Sequence, residues 1–508
     1  MKPVAIIGAG ITGLTAAFYL KRNGIPVRVY ESSGRVGGVI QSIRSNGFLA
    51  EFGPNTILET SPKIGQLIRD TGLEGRRMDP NPKAEARYLV RKQRPVRMPD
   101  SPLGFFTTSL FSAKAKLALL REPFVPARNN GKEESIAEFV TRRLGREFLD
   151  QAIDALVAGV YAGDPARLSV KHAFPRLEKL EARYGSLIKG QILGARERKR
   201  SGEISKDRAP KFSFDEGLQV LPETLHRLLG DSVRLNTPVT RLTQTRDGWL
   251  LSPEQSRDRE GAPRAAPSAH HSAILYAGTA FALAELEINL VPYGAAPGSL
   301  GAHPTSTIHH PSSTIQYPPS SIQYPASIIS PLNLGPLSEI RYPPVASVVL
   351  GFRREDVAHP CEGFGVLIPK IEGFKILGTI FSSSLFPNRA PAGHLLLTSY
   401  VGGERYPELA SLPTDKLVEL TCRDLERLLG VRGKPVFQHT AFFPKAIPQY
   451  NVGYGRFREL MTQIEQNAPG LFLAGHYRDG VSLSDSIVSG CNAADRVTAF
   501  VKTTDEHG

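Results

Sequence analysis

The chain has few residues of the kinds that build covalent or membrane-spanning scaffolds. It has three cysteines in 508 residues, Cys361, Cys422 and Cys491, and they are far apart. This spacing excludes a disulfide framework and a cysteine-based zinc site, and it favours a reducing compartment. No uninterrupted apolar run approaches the roughly 18 residues that a spanning helix needs. No metal site is predicted, and Val4 to Ile7 is too short for the core of a signal peptide.

Acidic residues are outnumbered by basic ones, which gives a net charge of +13 and a pI near 9.6. This excess attracts anionic partners such as phospholipid surfaces, nucleic acids or acidic small molecules. Basic and aromatic residues do not alternate in a nucleic-acid-binding motif, so we expect no nucleic-acid partner. The 41% hydrophobic content fits a globular protein of more than one domain.

A glycine motif follows the first apolar run. Pro3 to Ile7 is predicted to be a buried parallel strand, and a glycine turn and a helix of good helix formers come next. Pro26 to Tyr30 reads as a second strand, which is followed by Glu31. A glycine-rich turn of another α/β protein would also contain such glycines. The position of Glu31 directly after the second strand, however, favours a dinucleotide site. The pyrophosphate would lie at the helix N-terminus, and the ribose would bind Glu31.

The residues after Glu31 narrow the choice of dinucleotide. Glu31, Arg35, Gly37 and Gly38 form the pattern ExxxRxGG. This pattern after a Rossmann unit resembles the flavoproteins that include amine oxidases, phytoene desaturases and protoporphyrinogen oxidases. The resemblance implies FAD as cofactor.

Further segments resemble this family. Phe48 to Thr56 is similar to its flavin-passing segment, and Pro469 to Gly490 to its closing strand and helix, whose N-terminus faces the isoalloxazine. The resemblance implies these cofactor-binding residues: Gly8, Ala9, Gly10, Ile11, Thr12, Gly13, Glu31, Ser32, Arg35, Gly38, Val39, Gly53, Pro54, Asn55, Thr56, Val239, Gly475, Val481, Ser482 and Leu483.

The middle of the chain is similar to protoporphyrinogen and coproporphyrinogen oxidases in particular. The relevant stretches are Gly363 to Pro369, Leu377 to Pro391 and Ala446 to Gly453. The resemblance implies oxidation of a porphyrinogen by hydride transfer to flavin, with O2 or another electron acceptor, and no catalytic side chain. The substrate is predicted to be protoporphyrinogen IX. Coproporphyrinogen III remains an alternative, as does an amine or carotenoid substrate.

The porphyrinogen macrocycle is an apolar disc with carboxylate arms, so its binding site needs an apolar slot and a cation at the rim. We predict Arg94 as the cation, with Arg97 as its alternative, and Leu367 and Phe386 as slot residues. The alternative for Arg94 is a solvated charge in the basic run from Arg91 to Arg94, and the alternative for Leu367 and Phe386 is core packing. A non-enzymatic alternative is a module that has lost its flavin and binds prenylated GTPases. The intact glycines and Glu31 argue against it.

The predicted fold is α/β, with a Rossmann-like FAD-binding domain that is discontinuous in sequence (1–90, 211–255 and 430–505). A helical subdomain (91–210) and a mixed-sheet substrate-binding domain (256–429) complete it. Within the helical part, an apolar stretch from Leu103 to Phe111 precedes Lys114, Lys116 and Arg121. Such a stretch can dock at a membrane surface or form a helical cap packed on the core, and the family resemblance favours a peripheral membrane contact. The expected location is cytoplasmic, peripheral on the inner face of the cell membrane, and a homodimer is compatible with the sequence.

Two stretches depart from the family. The segment 292–331 contains a seven-residue repeat with a proline in each copy, which forbids a continuous helix, and a His309-His310 pair that we interpret as part of the polar repeat. Pro253 to His271 is predicted to be loop. The strand Ala273 to Gly278 lies between them, and we expect it to belong to the substrate sheet. The two insertions are therefore expected to disturb that sheet and to lower activity.

Overall fold

The computed structural model describes residues 1–128, 131–201, 209–253, 256–257, 263–264, 269–290 and 330–506. The proline-containing repeat and the His309-His310 pair lie outside the described residues, as does most of the stretch from Pro253 to His271. The described residues 256–257, 263–264 and 269–271 of that stretch form paired strands, so the prediction of loop is wrong there.

Strands occur along the whole described chain. In order they are β1 Val4–Ile7, β2 Val27–Tyr30, β3 Ser42–Ser45, β4 Phe48–Glu51, β5 Ile57–Leu58, β6 Arg77–Met78, β7 Arg87–Arg91, β8 Arg94–Arg97, β9 Lys211–Phe214, β10 Val233–Arg234, β11 Val239–Thr245, β12 Gly248–Pro253, β13 Ser256–Arg257, β14 Pro263–Arg264, β15 Ala269–His271, β16 Ile274–Tyr276, β17 Glu287–Leu290, β18 Ser330–Pro331, β19 Val345–Arg353, β20 Gly365–Leu367, β21 Ile376–Phe381, β22 His394–Gly402, β23 Phe437–Phe443 and β24 Leu471–Leu473.

Helices are concentrated between β8 and β9 and near the C-terminus. In order they are α1 Ile11–Arg22, α2 Pro62–Asp70, α3 Pro102–Thr107, α4 Ala113–Arg121, α5 Ile136–Leu144, α6 Arg146–Phe148, α7 Asp154–Tyr161, α8 Val170–Ala173, α9 Pro175–Tyr184, α10 Leu187–Ser201, α11 Val220–Leu229, α12 Ala280–Ala284, α13 Ser382–Leu385, α14 Thr414–Leu429, α15 Gly455–Asn467, α16 His476–Asp479 and α17 Leu483–Glu506. A short π-helical stretch, Leu149–Ile153, joins α6 to α7.

A parallel five-stranded sheet, in the order β10-β2-β1-β16-β24, forms the dinucleotide-type layer. All four residues of β1 are buried, as expected for a strand covered on both faces. Helices α1 and α17 lie together beside this sheet, and a Cβ at Gly490 would come within 2.5 Å of the Thr12 carbonyl oxygen. The first and last parts of the chain therefore belong to one layer.

One strand lies in a different sheet from the one that the sequence predicts. Ile274 to Tyr276 was expected in the substrate sheet, but this strand, β16, pairs with β1 on one side and with β24 on the other. The expectation was wrong because neighbours in a parallel sheet need not be neighbours in sequence. The strands that flank the two insertions, β12 and β15 on one side of β16 and β17 and β18 on the other, pair instead in a smaller sheet.

A second large sheet has seven strands in the order β23-β19-β22-β21-β20-β7-β8. Long antiparallel pairings hold its centre, and Val345 to Arg353 pairs along its full length with Gly402 to His394. Helix α14 covers one face, where its leucines join a buried cluster with alternate strand residues. The opposite face is turned toward α7, since Leu367 contacts Gly159 there.

A smaller sheet has the order β15-β12-β11-β17-β18, and its Leu242 and Trp249 share a buried cluster with Ile274 of the first sheet. Between β8 and β9 the structure is helical from α3 to α10, as the sequence pattern predicts. No helix within the described ranges is long and apolar enough to cross a membrane.

A buried ion pair connects the β3–β4 hairpin to the segment that follows α13. Arg389, which follows α13, lies 3.4 Å from Glu51 at the end of β4, and both side chains are almost fully buried. Arg389 also donates to Ser213 Oγ at 2.6 Å, and Glu51 accepts from the Leu218 N–H at 2.8 Å. Burial raises the pKa of Glu51 to about 7, although Arg389 and two hydrogen bonds lower it.

We expect Arg389→Leu to destabilise the protein by about 3–5 kcal/mol, because it leaves Glu51 buried without its cation. Denaturant unfolding followed by circular dichroism measures this loss. The control is Arg423→Leu, which removes an exposed pair with Glu419 and should cost less than about 1 kcal/mol. Equal effects of the two changes would contradict a special role of the buried Arg389–Glu51 pair. Adding Glu51→Gln to Arg389→Leu should recover part of the lost stability.

Candidate active site

The turn between β1 and α1 requires glycine at two positions. Gly8 has φ +104°, and a Cβ there would lie 3.1 Å from the Ala277 carbonyl group. A Cβ at Gly13 would lie 2.0 Å from the Gly8 carbonyl oxygen, so the first turn of α1 sits directly on the end of the strand. Ile11 and Thr12, between these glycines, are buried.

Gly10 is different, because a Cβ built there meets nothing within 4 Å. The backbone thus faces open space at the N-terminus of α1, where N–H groups have no partner within the helix. Gly38 approaches this place from the other side, with its Cβ position 3.5 Å from Gly10 Cα. A groove floored by two glycines fits a pyrophosphate.

Glu31 lies half-buried where β2 ends. One of its carboxylate oxygens accepts a hydrogen bond from the Ala9 N–H at 2.8 Å, and the other accepts from the Ser33 N–H at 2.8 Å. Glu31 therefore orders the glycine turn, in addition to the predicted role toward a ribose. Ser32, beside it, is exposed.

The Arg35 side chain binds backbone carbonyl groups of the double-glycine loop. Its guanidinium donates to the carbonyls of Val36 at 3.2 Å and Ile40 at 3.0 Å, and also to that of Gly38. Its cation therefore stays beside the glycine turn through bonds within its own loop. Val39, in the same loop, is 54% exposed, as expected of an apolar residue that a bound group would cover.

The segment from Gly53 to Thr56 connects the loop to the seven-stranded sheet. A Cβ at Gly53 would lie 2.3 Å from the Val39 carbonyl oxygen. Asn55 Nδ2 donates to Tyr400 Oη at 2.6 Å, and Tyr400 Oη donates to the Gly53 carbonyl at 3.2 Å. Pro54 and Thr56 are half-buried in this segment.

The C-terminal residues reach the same place from the other end of the chain. Gly475, with φ +119°, ends the turn after β24, and its N–H donates to Ser489 Oγ at 2.9 Å. Thr12 Oγ1 donates to the Ser486 carbonyl at 3.0 Å, so the N-terminal turns of α1 and α17 are in contact.

Ser482 caps α17 by accepting from the Asp485 N–H at 3.1 Å, while Val481 and Leu483 flank the cap and are partly buried. On the other side of the turn, the Thr237 N–H donates to the Glu31 carbonyl at 2.8 Å, which brings Val239 near Glu31. The structure thus brings the predicted cofactor residues together.

The inner face of the seven-stranded sheet carries one continuous row of paired residues. The row is made by five register pairs: Ser347 with Tyr400, Tyr400 with Gly378, Gly378 with Leu367, Leu367 with Leu89, and Leu89 with Val96. Directly paired residues point to the same face of a sheet. Tyr400 therefore joins the cofactor segment to a row that contains Leu367.

The other predicted substrate residues lie near this row. Phe386 is buried and packs with the Arg389 guanidinium and with Ile380, which lies two residues after Gly378 in β21 and on the same face. Arg94 pairs with Arg91 across the β7–β8 turn, on the face of Leu367, and is exposed. Arg97 pairs with Tyr88 and therefore belongs to the opposite face.

Two residues of this region were missed by the sequence analysis. Tyr400 carries no local motif, and only the register of β22 reveals its place. Arg91 is half-buried on the face of Leu367 and lies 3.3 Å from Glu147. Its position in a basic run hid it, although the alternation of apolar residues in β7 could have indicated its face.

Comparison with known proteins agrees with this geometry. The family described as "Flavin containing amine oxidoreductase" matches residues 11–273 and 313–498. The chain belongs to this family. It is also 36% identical over 524 aligned positions to protoporphyrinogen oxidase 2, chloroplastic/mitochondrial, of Arabidopsis thaliana, covering 99% of the chain and 95% of that protein.

Coproporphyrinogen III oxidase of Bacillus subtilis (strain 168) is 28% identical over 98% of each chain. Among solved structures, reduced UDP-galactopyranose mutase has a TM-score of 0.66 at 14% identity, with 98% of this chain and 96% of that chain covered, which shows the fold alone. The predicted α/β class, the family resemblance, the oxidoreductase activity and the FAD cofactor are confirmed. The groove at Gly10 and Gly38 fits this cofactor.

We expect Gly10→Val to fold normally and to lose FAD, because the added atoms enter the open groove and meet no protein atom at Cβ. FAD affinity should fall at least tenfold in fluorescence titration, with little change in the unfolding midpoint. Gly75→Val is the control, since its Cβ also meets nothing within 4 Å but lies away from the turn. Unchanged FAD affinity in the Gly10 variant would contradict the assigned groove.

Proposed function

We propose that this chain oxidises protoporphyrinogen IX to protoporphyrin IX with FAD, as a step of haem biosynthesis. The observation that carries the proposal is the row of the seven-stranded sheet that Tyr400 joins to Gly53 and Asn55. Full-length similarity to a protoporphyrinogen oxidase, greater than that to a coproporphyrinogen oxidase, supports this choice of substrate.

The cofactor residues of this proposal come from both ends of the chain. The glycine turn, Glu31 and the double-glycine loop would hold the adenine half of FAD, and Gly53 to Thr56 with Gly475 to Leu483 would hold the flavin half. Bound FAD supplies the hydride acceptor for three two-electron steps, with O2 as the final acceptor. The domain division predicted from the sequence belongs to the same proposal with changed bounds, because β16 pairs in the dinucleotide-type sheet while β7, β8 and β23 pair in the seven-stranded sheet.

The protein's part is to orient the substrate and to exclude water. Leu367, Leu89 and Val96 lie in one apolar row, in which Leu367 and Val96 are partly exposed and Leu89 is buried behind them. Burial raises the pKa of the Tyr400 hydroxyl, so this group stays protonated and donates to the Gly53 carbonyl. Arg94, at the exposed end of this surface, would pair with a propionate arm.

The direct test gives purified, FAD-loaded protein protoporphyrinogen IX and coproporphyrinogen III in separate assays. We expect a rise in porphyrin fluorescence with both or with the first, and the larger kcat/KM with protoporphyrinogen. A larger value for coproporphyrinogen would favour the alternative. The absence of porphyrin formation from either would overturn the proposed function.

We expect Arg94→Ala to raise KM for porphyrinogen by about tenfold or more with little change in kcat, because it removes a charge-assisted contact made in substrate and transition state alike. Arg97→Ala is the control from the opposite face of the sheet and should leave KM unchanged. If Arg91→Ala raises KM and Arg94→Ala does not, the propionate contact belongs to the half-buried arginine.

The helical region is proposed to dock on an anionic membrane surface, on the cytoplasmic side. Exposed apolar side chains lie on α3, α4, α10 and the turn after α4: Leu103, Phe106, Leu117, Leu120, Phe124, Ile192 and Leu193. Lys116 connects α4 to the Phe106 carbonyl at 2.8 Å, and Glu122 connects the turn after α4 to the Leu187 N–H at 2.8 Å. Lysines beside exposed apolar groups are typical of interfacial surfaces.

We expect Phe124→Glu to reduce binding to phosphatidylglycerol vesicles several-fold in sedimentation assays, because Phe124 is 84% exposed and its replacement repels the anionic surface. Ile371→Glu, which changes an exposed residue beside the seven-stranded sheet, should bind as the unchanged protein does. Equal loss in both variants, or no binding by the unchanged protein, would contradict the docking surface.

A further inference from the structure

The single-turn helix α16 lies between two glycines, Gly475 and Gly480, in the segment that the family resemblance places beside the isoalloxazine. A helix this short cannot satisfy its own carbonyl groups. Two of its carbonyls, those of His476 and Tyr477, accept hydrogen bonds from tyrosine hydroxyls of a distant segment: Tyr450 bonds His476 and Tyr454 bonds Tyr477.

Tyr450 does more than satisfy one carbonyl. Its hydroxyl donates to the His476 carbonyl and also accepts from the Gly480 N–H at 3.1 Å. In a regular α-helix, the N–H of residue 480 would bond directly to the carbonyl of residue 476. The phenol oxygen is therefore inserted into this helical hydrogen bond and holds the turn open.

The position of the Tyr450 hydroxyl is fixed by the packing of its ring and by backbone hydrogen bonds around residue 450. Tyr450 and Tyr454 are each only 1% exposed, and their rings lie 4.5 Å apart. The Tyr450 backbone carbonyl accepts from the Ser169 N–H at 2.9 Å, and Gln449 Nε2 donates to the Tyr161 carbonyl at 2.8 Å. Burial raises the pKa of both phenols well above 10, so both remain donors.

We propose that Tyr450 is a positioning residue for the flavin, acting through the backbone from His476 to Gly480. This rests on the FAD site described above but needs no particular substrate. Val481 and Ser482 follow Gly480 directly and lead into α17, which begins at Leu483. The width of the opened turn sets where the N–H groups of Val481 and Leu483 lie, while that of Ser482 donates to Asp485 Oδ2 at 3.2 Å. Tyr454 supports the same turn through one bond and has the smaller effect.

Removal of the Tyr450 hydroxyl has two possible results for the turn from His476 to Gly480. Either the His476 carbonyl and the Gly480 N–H stay buried and unpaired, or they approach each other and form the helical hydrogen bond. Both change the place of the N–H groups after Gly480. Since N–H groups near a flavin affect its electronic energies and the stability of its reduced form, the change is visible in its spectrum and potential.

The experiment compares Tyr450→Phe with Tyr161→Phe in FAD-loaded protein. Tyr161 is a matched control: it is buried, its ring lies 6.4 Å from that of Tyr450, and its hydroxyl donates to the Ala173 carbonyl at 2.8 Å, away from the turn. We expect Tyr450→Phe to shift the flavin absorption bands and midpoint potential and to weaken FAD binding about tenfold. Tyr161→Phe should reduce thermal stability without changing spectrum or potential, and Tyr454→Phe should show a smaller shift of the same sign as Tyr450→Phe.

The proposal is overturned if Tyr450→Phe has the spectrum, potential and FAD affinity of the unchanged protein, or if Tyr161→Phe alters them equally. Should Tyr450→Phe fail to fold, Tyr454→Phe decides by the same readouts. Unchanged protein that binds FAD but oxidises no porphyrinogen refutes the proposed function and leaves this inference intact. Unchanged protein that binds no FAD refutes both.

Discussion

The close approach of α1 to the end of β1 is the constraint on which the rest of the site depends. The Gly13 Cβ position, 2.0 Å from the Gly8 carbonyl oxygen, leaves no room for a side chain. On its other side, α1 meets α17 at Gly490, whose Cβ position would lie 2.5 Å from the Thr12 carbonyl oxygen. Because parallel strands end at one edge of a sheet, the turns after β1, β2 and β24 then lie together, although they come from the two ends of the chain.

The cofactor layer and the seven-stranded sheet are joined by polar contacts on both sides of Phe52. Glu51 bonds to Arg389 and Leu218, and Gly53 bonds to Tyr400. Buried polar groups cost free energy unless each is paired, so contacts of this kind specify one arrangement of the two sheets more strictly than apolar packing does. The segment from Glu51 to Asn55 therefore sets how far the apolar row lies from the glycine turns.

The sequence predicts the local part of this design and misses the part set by distant pairing. The glycine turn, the acid after β2 and the closing turn at Gly475 are short patterns whose geometry their own residues determine. The partner of β16 is not encoded locally, and Ile274 to Tyr276 was assigned to the wrong sheet for this reason. Tyr400 and Tyr450 were unrecognised because their hydroxyls act on backbone groups in remote segments, while Arg94 and Arg97 could be separated only by the register of β8.

The charges around the row distinguish between an amine and a porphyrinogen, two substrates that the family resemblance implies. A protonated amine needs an anion or an aromatic cage, whereas the row from Ser347 to Val96 contains only uncharged residues. Two arginines of its face stand at one end, the exposed Arg94 and Arg91, whose charge is paired with Glu147, and the chain as a whole is strongly basic. An apolar surface with positive charge at its edge repels an ammonium group and attracts carboxylates, which is the distribution that a porphyrinogen with its propionate arms requires.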